Sequence, residues 1–290
     1  MLRIIAAVVL GMAVAPLQAA VVGKEVSYQA GDTVMKGYLA YDDAVTGKRP
    51  GILVVHEWWG HNSYARKRAD MLAELGYTAL AVDMYGDGKT ADHPDNAGKF
   101  ATAVRQDQDM MQARFNAARH YLNSNETVDP ELNAAIGYCF GGSVVLSMAR
   151  TGADLDGVVS FHGSLGGLPP ISEKVVAKVL VANGDADSFV KKDSIEIFKE
   201  DMEIAGVDFE FINYPGAKHS FTSPEANALG EKFGLPLEYN AEADKVTAKV
   251  LVANGADDTF VGKDSIDMFM EDMELAGVDL EFINYPGAKH

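Results

Sequence analysis

The chain has 290 residues, with 25 Lys and Arg against 42 Asp and Glu, and the resulting charge of −17 argues against a nucleic-acid partner. Hydrophobic residues make up 48% and charged residues 23%, which excludes a disordered chain and provides for a large core. One cysteine excludes an internal disulfide framework and any zinc site built from several thiolates.

Residues 1–20 read as a secretory leader: Arg3 supplies the charge, residues 4–15 a short apolar run, and residues 16–20 a small-residue cleavage region. A membrane span needs about 20 apolar residues, more than this run has, so cleavage after Ala19 or Ala20 is expected. Removal of Arg3 takes the charge to 24 − 42 = −18. An exported protein follows, periplasmic or secreted, with no membrane attachment after cleavage.

Residues 22–28 and 33–40 predict a leading hairpin. Short apolar runs at 51–55, 78–82, 133–136, 157–161, 179–182 and 209–212 suit strands covered on both faces. Between them, residues 64–75, 97–122, 142–149 and 194–205 carry apolar side chains at helical spacing. Strand and helix in alternation predict an α/β fold: a mostly parallel, doubly wound sheet with helices on both faces and its chemistry at the carboxyl ends of the strands. The chain also repeats itself. Residues 174–219 and 245–290 align without a gap at an offset of 71, with 36 of 46 positions identical. Two copies are too few for a solenoid, so the chain divides into a leader (1–20), a main domain (21–245) and a duplicated strand-helix-strand segment (246–290).

After the strand ending near Ile136 stands Gly137-Tyr138-Cys139-Phe140-Gly141-Gly142, followed by a helix. This is a G-x-C-x-G nucleophile elbow, in which glycines relieve the crowding of a sharp strand-to-helix turn. The helix amino end favours negative charge, and the amide after Cys139 is placed for a developing oxyanion. A buried structural cysteine is the plainer reading. A thiol nucleophile needs a histidine base oriented by a carboxylate. Two later segments supply these: Gly184-Asp185-Ala186-Asp187 after one strand, and Ala217-Lys218-His219-Ser220-Phe221 after the next. The order nucleophile, acid, base is that of α/β-hydrolases.

Residues 21–245 resemble the dienelactone hydrolase family of α/β-hydrolases, on the strength of the elbow, the two later motifs and His56-Glu57-Trp58-Trp59-Gly60 after the first parallel strand. The resemblance implies a hydrolase of small esters or lactones without a cofactor. It makes Cys139 the nucleophile, His219 the base and Asp187, three residues after the glycine, the acid in preference to Asp185. It further implies that Glu57 pairs with the resting thiol and that the amides of Phe140 and Trp58 form the oxyanion hole. Trp58, Trp59 and His162 are candidates for a substrate pocket, packing under a loop being the alternative for the tryptophans. His56 and His61, five residues apart on a Trp-Trp-Gly turn, share no helical face and are not expected to hold a metal.

The family's arginine shortly after the catalytic histidine is missing from Ser220-Phe221-Thr222-Ser223-Pro224, and the acidic surface slows anions, so a neutral ester is the expected substrate. The family's closing helix is also missing, and residues 264–276 of the second copy carry helical spacing that could replace it. A non-catalytic binding protein on a hydrolase scaffold is the competing reading. Asp258 and His290 duplicate the acid and base. Placing the second copy's strand beside residues 157–161 closes 87 residues rather than 16, a cost of about 1.5 kcal/mol that favours Asp187 and His219.

Overall fold

The computed structural model describes residues 21–243 and two short strands at 254–255 and 284–285. The leader, the second copy's helix at 264–276, Asp258 and His290 lie outside the described residues.

The leading hairpin forms as expected, β1 (Val21–Ala30) against β2 (Thr33–Asp42), with Gly31 at φ 60° in the tight turn. β3 (Arg49–Val55), β4 (Thr78–Val82), β5 (Val128–Tyr138), β6 (Gly157–Phe161), β7 (Lys178–Gly184) and β8 (Phe209–Tyr214) complete an eight-stranded sheet of order β1-β2-β4-β3-β5-β6-β7-β8. The pairings β1–β2 and β2–β4 are antiparallel, and every pairing from β4 to β8 is parallel. Two further strands, β9 (Asn254–Gly255) and β10 (Asn284–Tyr285), pair parallel in the register that Asn183–Gly184 and Asn213–Tyr214 have in β7 and β8.

Alternation along the central strands builds two cores, as two-sided burial requires. Leu53 and Val55 face one of them with Leu80, Val82, Val158 and Val181. That face is covered by side chains of α3 (Gln108–Asn123), α4 (Phe140–Arg150) and α5 (Lys192–Ile204), among them Phe115, Val144 and Phe198. Ile52 and Val54 face the other with Ile136 and Phe161, covered by Tyr64, Ala65 and Leu72 of α1 (Ser63–Glu74) and by Phe221 from beyond β8.

The single helix expected over 97–122 is two helices, α2 (Pro94–Gln106) and α3. Asp107 leaves helical angles at φ −116°, ψ 88° and its carboxylate accepts the Met110 N–H at 2.9 Å. An aspartate that bonds the backbone locally ends one helix and caps the next. A further helix, α6 (Ala226–Phe233), had no counterpart in the sequence reading. Among the described residues no helix is long and apolar enough to cross a membrane.

Candidate active site

β5 ends at Tyr138 and α4 begins at Phe140, so Cys139 alone makes the turn, at φ 52° and ψ −112°. Holding a side chain in that region costs about 1 to 3 kcal/mol and needs support from its surroundings. The support is close packing: a Cβ on Gly137 would lie 2.1 Å from the Gly141 oxygen, and one on Gly141 would lie 2.3 Å from the Val55 oxygen. The Gly141 N–H donates to the His56 carbonyl at 3.1 Å, tying the elbow to the turn after β3. The thiol is half-buried.

Asp187 and His219 arrive on adjacent loops that touch. A Cβ on Gly184 would meet the Ala217 oxygen at 2.2 Å, and the amides of Asp185 and Ala186 donate to Tyr214 and Ala217 carbonyls, each at 3.1 Å. Asp187 accepts the Phe189 N–H on Oδ1 at 2.8 Å and the Nδ1–H of His219 on Oδ2 at 2.7 Å. Asp185 is exposed and accepts the Gly216 N–H, a turn bond only. The second copy agrees with this division of labour, having Ala256 at the Asp185 position and Asp258 at the Asp187 position. Beyond the base, the His219 carbonyl accepts the Glu238 N–H at 3.2 Å and that of Phe221 accepts the Asn240 N–H at 3.0 Å, so residues 237–240 brace the loop.

His219 is buried, which by itself lowers its pKa. The negative charge available to Cys139, the bond to Asp187 and a hydrogen bond to Cys139 outweigh burial and raise it from 6.5 to about 10. A chain of contacts therefore runs from Asp187 through His219 to Cys139. Among the described residues the amides of Phe140 and Trp58 donate to no other group.

The other expected residues lie nearby. Glu57 is buried and its Oε1 accepts the Ser220 hydroxyl at 2.7 Å, so its hydrogen-bond partner is Ser220 in place of the expected thiol. Burial raises the Glu57 pKa, against the lowering effects of Ser220 and the His219 charge. Trp58 is half-buried, its carbonyl accepting the Tyr85 hydroxyl at 3.0 Å, whereas Trp59 is buried against Trp58 and Phe233. His162 is fully buried beneath the elbow, with the Cys139 N–H 3.1 Å from its Nδ1 and Thr222 Oγ1 2.9 Å from its Nε2. His56 donates from Nδ1 to the Glu57 carbonyl at 2.5 Å and accepts the Met84 N–H on Nε2 at 3.2 Å, leaving no lone pair for a metal. Ser220, Thr222, Tyr64 and Arg68 were not singled out in the sequence; only the place of Ser220 and Thr222 just after His219 marked the first two.

Comparison with known proteins settles the family. The family model described as dienelactone hydrolase matches residues 35–245, and matches residues 232–290 a second time. The chain belongs to the dienelactone hydrolase family. Protein usf of Aquifex pyrophilus is 31% identical over 210 residues, covering 69% of this chain and 87% of that protein. Among solved structures, a dienelactone hydrolase-like promiscuous phosphotriesterase from metagenomic libraries is 34% identical with a TM-score of 0.74, over 80% of this chain and 96% of the other. A dienelactone hydrolase of Anabaena variabilis, 22% identical with a TM-score of 0.54, covers 75% of this chain and 99% of its own and shares the fold. The protein is thus a carboxylic ester hydrolase of the dienelactone hydrolase type, acting on small esters or lactones.

Proposed function

We propose that the enzyme hydrolyses small neutral esters or lactones through a thioester on Cys139, with His219 as base and Asp187 as its orienting acid. The Asp187–His219–Cys139 chain of contacts carries this reading. With the thiol proton held on Nε2 of His219, Cys139 Sγ attacks the carbonyl carbon. The oxyanion is met by the Phe140 and Trp58 amides. Collapse breaks the bond to the leaving oxygen, which takes the proton from His219. Water then gives a proton to His219 and attacks the thioester, and the departing sulfur recovers that proton. Asp187 keeps Nδ1 protonated, so the reacting nitrogen is Nε2.

Neutral substrates are favoured by the missing arginine after His219 and by the net charge of −17. Phe189, 46% exposed with its ring centroid 4.8 Å from that of His219, adds an apolar rim. A chromogenic short-chain ester should give a product burst that Cys139→Ala abolishes. No turnover across ester, lactone and thioester panels would instead favour a binding protein on this scaffold. On the same ester, His219→Gln should lose activity and His290→Gln keep it; the reverse would hand the site to the second copy. The leader at residues 1–20 further supports export, and the periplasmic or secreted protein should begin at residue 20 or 21 by amino-terminal sequencing.

A further inference from the structure

Beneath the elbow runs a buried polar chain that the reaction itself does not use. The Cys139 N–H is shared between the Phe161 carbonyl at 3.0 Å and Nδ1 of His162 at 3.1 Å. Nε2 of His162 lies 2.9 Å from Thr222 Oγ1, which lies 2.7 Å from the Tyr64 hydroxyl. Arg68 donates from Nε to that hydroxyl at 3.2 Å and from Nη2 to the Thr222 carbonyl at 2.6 Å. His162 and Thr222 are 0% exposed, Tyr64 4% and Arg68 5%. The chain thus joins three separate elements: α1, the histidine loop three residues beyond His219, and the end of β6.

Resting on the reading of Cys139 as nucleophile, we infer that His162 is a positioning residue: a neutral imidazole, protonated at Nε2 only, that fixes the nucleophile's backbone relative to the histidine loop. The tautomer follows from the donors. A backbone N–H can only donate, so Nδ1 must hold a lone pair, and the remaining proton belongs on Nε2, where Thr222 accepts it. His162 itself is held at φ 41° with its amide bonded to the Ala182 carbonyl at 2.8 Å, so the ring has one place to lie. The rings of Tyr138, His219 and Phe221 box it in at centroid distances of 6.2, 5.1 and 5.3 Å.

Neutrality matters twice. A second proton, on Nδ1, would face the Cys139 N–H donor to donor. It would also set a cation against the ring of His219, the group that becomes positive when it takes the thiol proton. The ionisable groups around His162 are Cys139 and Tyr138 from the elbow, Tyr64 and Arg68 from α1, and His219 beyond β8. Burial first, then the His219 and Arg68 charges, hold its pKa well below the usual histidine value.

Three variants separate positioning from packing. His162→Phe keeps a ring and loses both bonds. His162→Asn restores an acceptor on the Nδ1 side. Thr222→Val cuts the chain beyond His162. With a 4-nitrophenyl ester, His162→Phe should lower kcat by about 10- to 100-fold while KM stays within about twofold, the signature of misplaced reacting groups. His162→Asn should recover most of kcat, and Thr222→Val should fall between. The pH profile of Cys139 alkylation by iodoacetamide should shift in His162→Phe and return in His162→Asn. Wild-type kcat and an unshifted profile in His162→Phe would reduce His162 to packing. If His162→Phe fails to fold, nitrogen-15 spectra of histidine-labelled wild-type enzyme decide: one neutral Nε2–H signal throughout about pH 5 to 8 is expected. An Nδ1–H tautomer, or protonation in that range, overturns the inference. Those spectra need no turnover, so they stand apart from Cys139→Ala, whose retained activity would sink the nucleophile reading alone.

Discussion

The elbow and the acid–base loops solve the same problem, placing one atom within reach of another, by opposite means. Around Cys139 placement comes from missing atoms: Gly137 and Gly141 let backbone approach backbone at distances no Cβ allows. Around Asp187 and His219 it comes from hydrogen bonds between loops and from the brace at residues 237–240. The first design is rigid and fails when anything is added. The second fails in steps as bonds are removed.

The largest effect should fall on the loops. Asp187→Asn keeps shape and burial and can still bond Nδ1 of His219, but it offers an amide where the carboxylate fixed the tautomer. A fall in kcat of about 10²- to 10⁴-fold with the native fold retained by circular dichroism is expected. Asp185→Asn is the control, and should stay within about twofold since that residue only closes a turn. Equal losses from both would reopen the choice of acid.

On the elbow the loss should come first in stability. The new methyl of Gly141→Ala would meet the Val55 oxygen at 2.3 Å and the His56 oxygen at 2.7 Å, both backbone atoms of a central strand or the turn that follows it. Overpacking of this kind costs about 3 kcal/mol. Urea unfolding should show it as a lower midpoint, with activity falling alongside. A variant as stable as the wild type would mean that the elbow is looser than its packing indicates.

This difference in design explains what the sequence made legible. The elbow's requirements are local, so six contiguous residues spell them out, and the alternating apolar runs give the sheet in the same local way. The loops' requirements are tertiary. Asp187 and Asp185 stand two residues apart after one strand, and the structure separates them by which one faces His219. The break at Asp107 depends on a side chain choosing a local amide over its own solvation. Tyr64 and Thr222 are 158 residues apart, and Ser220 and Glu57 163 apart, so neither pair leaves a pattern in the chain. Glu57 was assigned by resemblance to the thiol, and the structure pairs it with Ser220.

Titration should separate the two regions by sign. His56 and His61, in the turn against the elbow, have pKa values lowered to about 4, chiefly by burial. They stay neutral in the native state while the unfolded chain binds protons near pH 6.5, so their stabilisation is present above that pH and is lost as pH falls toward 4. His219 is the reverse: its raised pKa makes its contribution complete below pH 6.5 and lost as pH rises toward 10. Each elbow-side histidine should cost on the order of 2 kcal/mol by pH 4.5. His61→Gln should therefore flatten the acid limb of a melting-temperature profile and leave the alkaline limb alone. An unaltered acid limb would place the sensitivity elsewhere.

The smallest effect tests a single bond between the histidine loop and the turn packed against the elbow. Ser220 follows the base and sits at φ 58°, and its hydroxyl meets the buried carboxylate of Glu57. A hydrogen bond to a buried acceptor contributes about 1.5 kcal/mol, and a left-handed backbone costs a residue with a Cβ about 1 kcal/mol. Ser220→Ala loses the bond and keeps the strain, so it should be destabilised by the full value of the bond. Ser220→Gly loses the same bond and is released from the strain, so it should lie within about 0.5 kcal/mol of the wild type. In both, Glu57 loses a group that lowers its pKa, so protonation of the carboxylate should move up in pH. Chemical denaturation of the pair at pH 7 measures the difference. Equal destabilisation of both variants would show that the backbone strain is absorbed by the loop. Wild-type stability in Ser220→Ala would show that Glu57 is satisfied without Ser220.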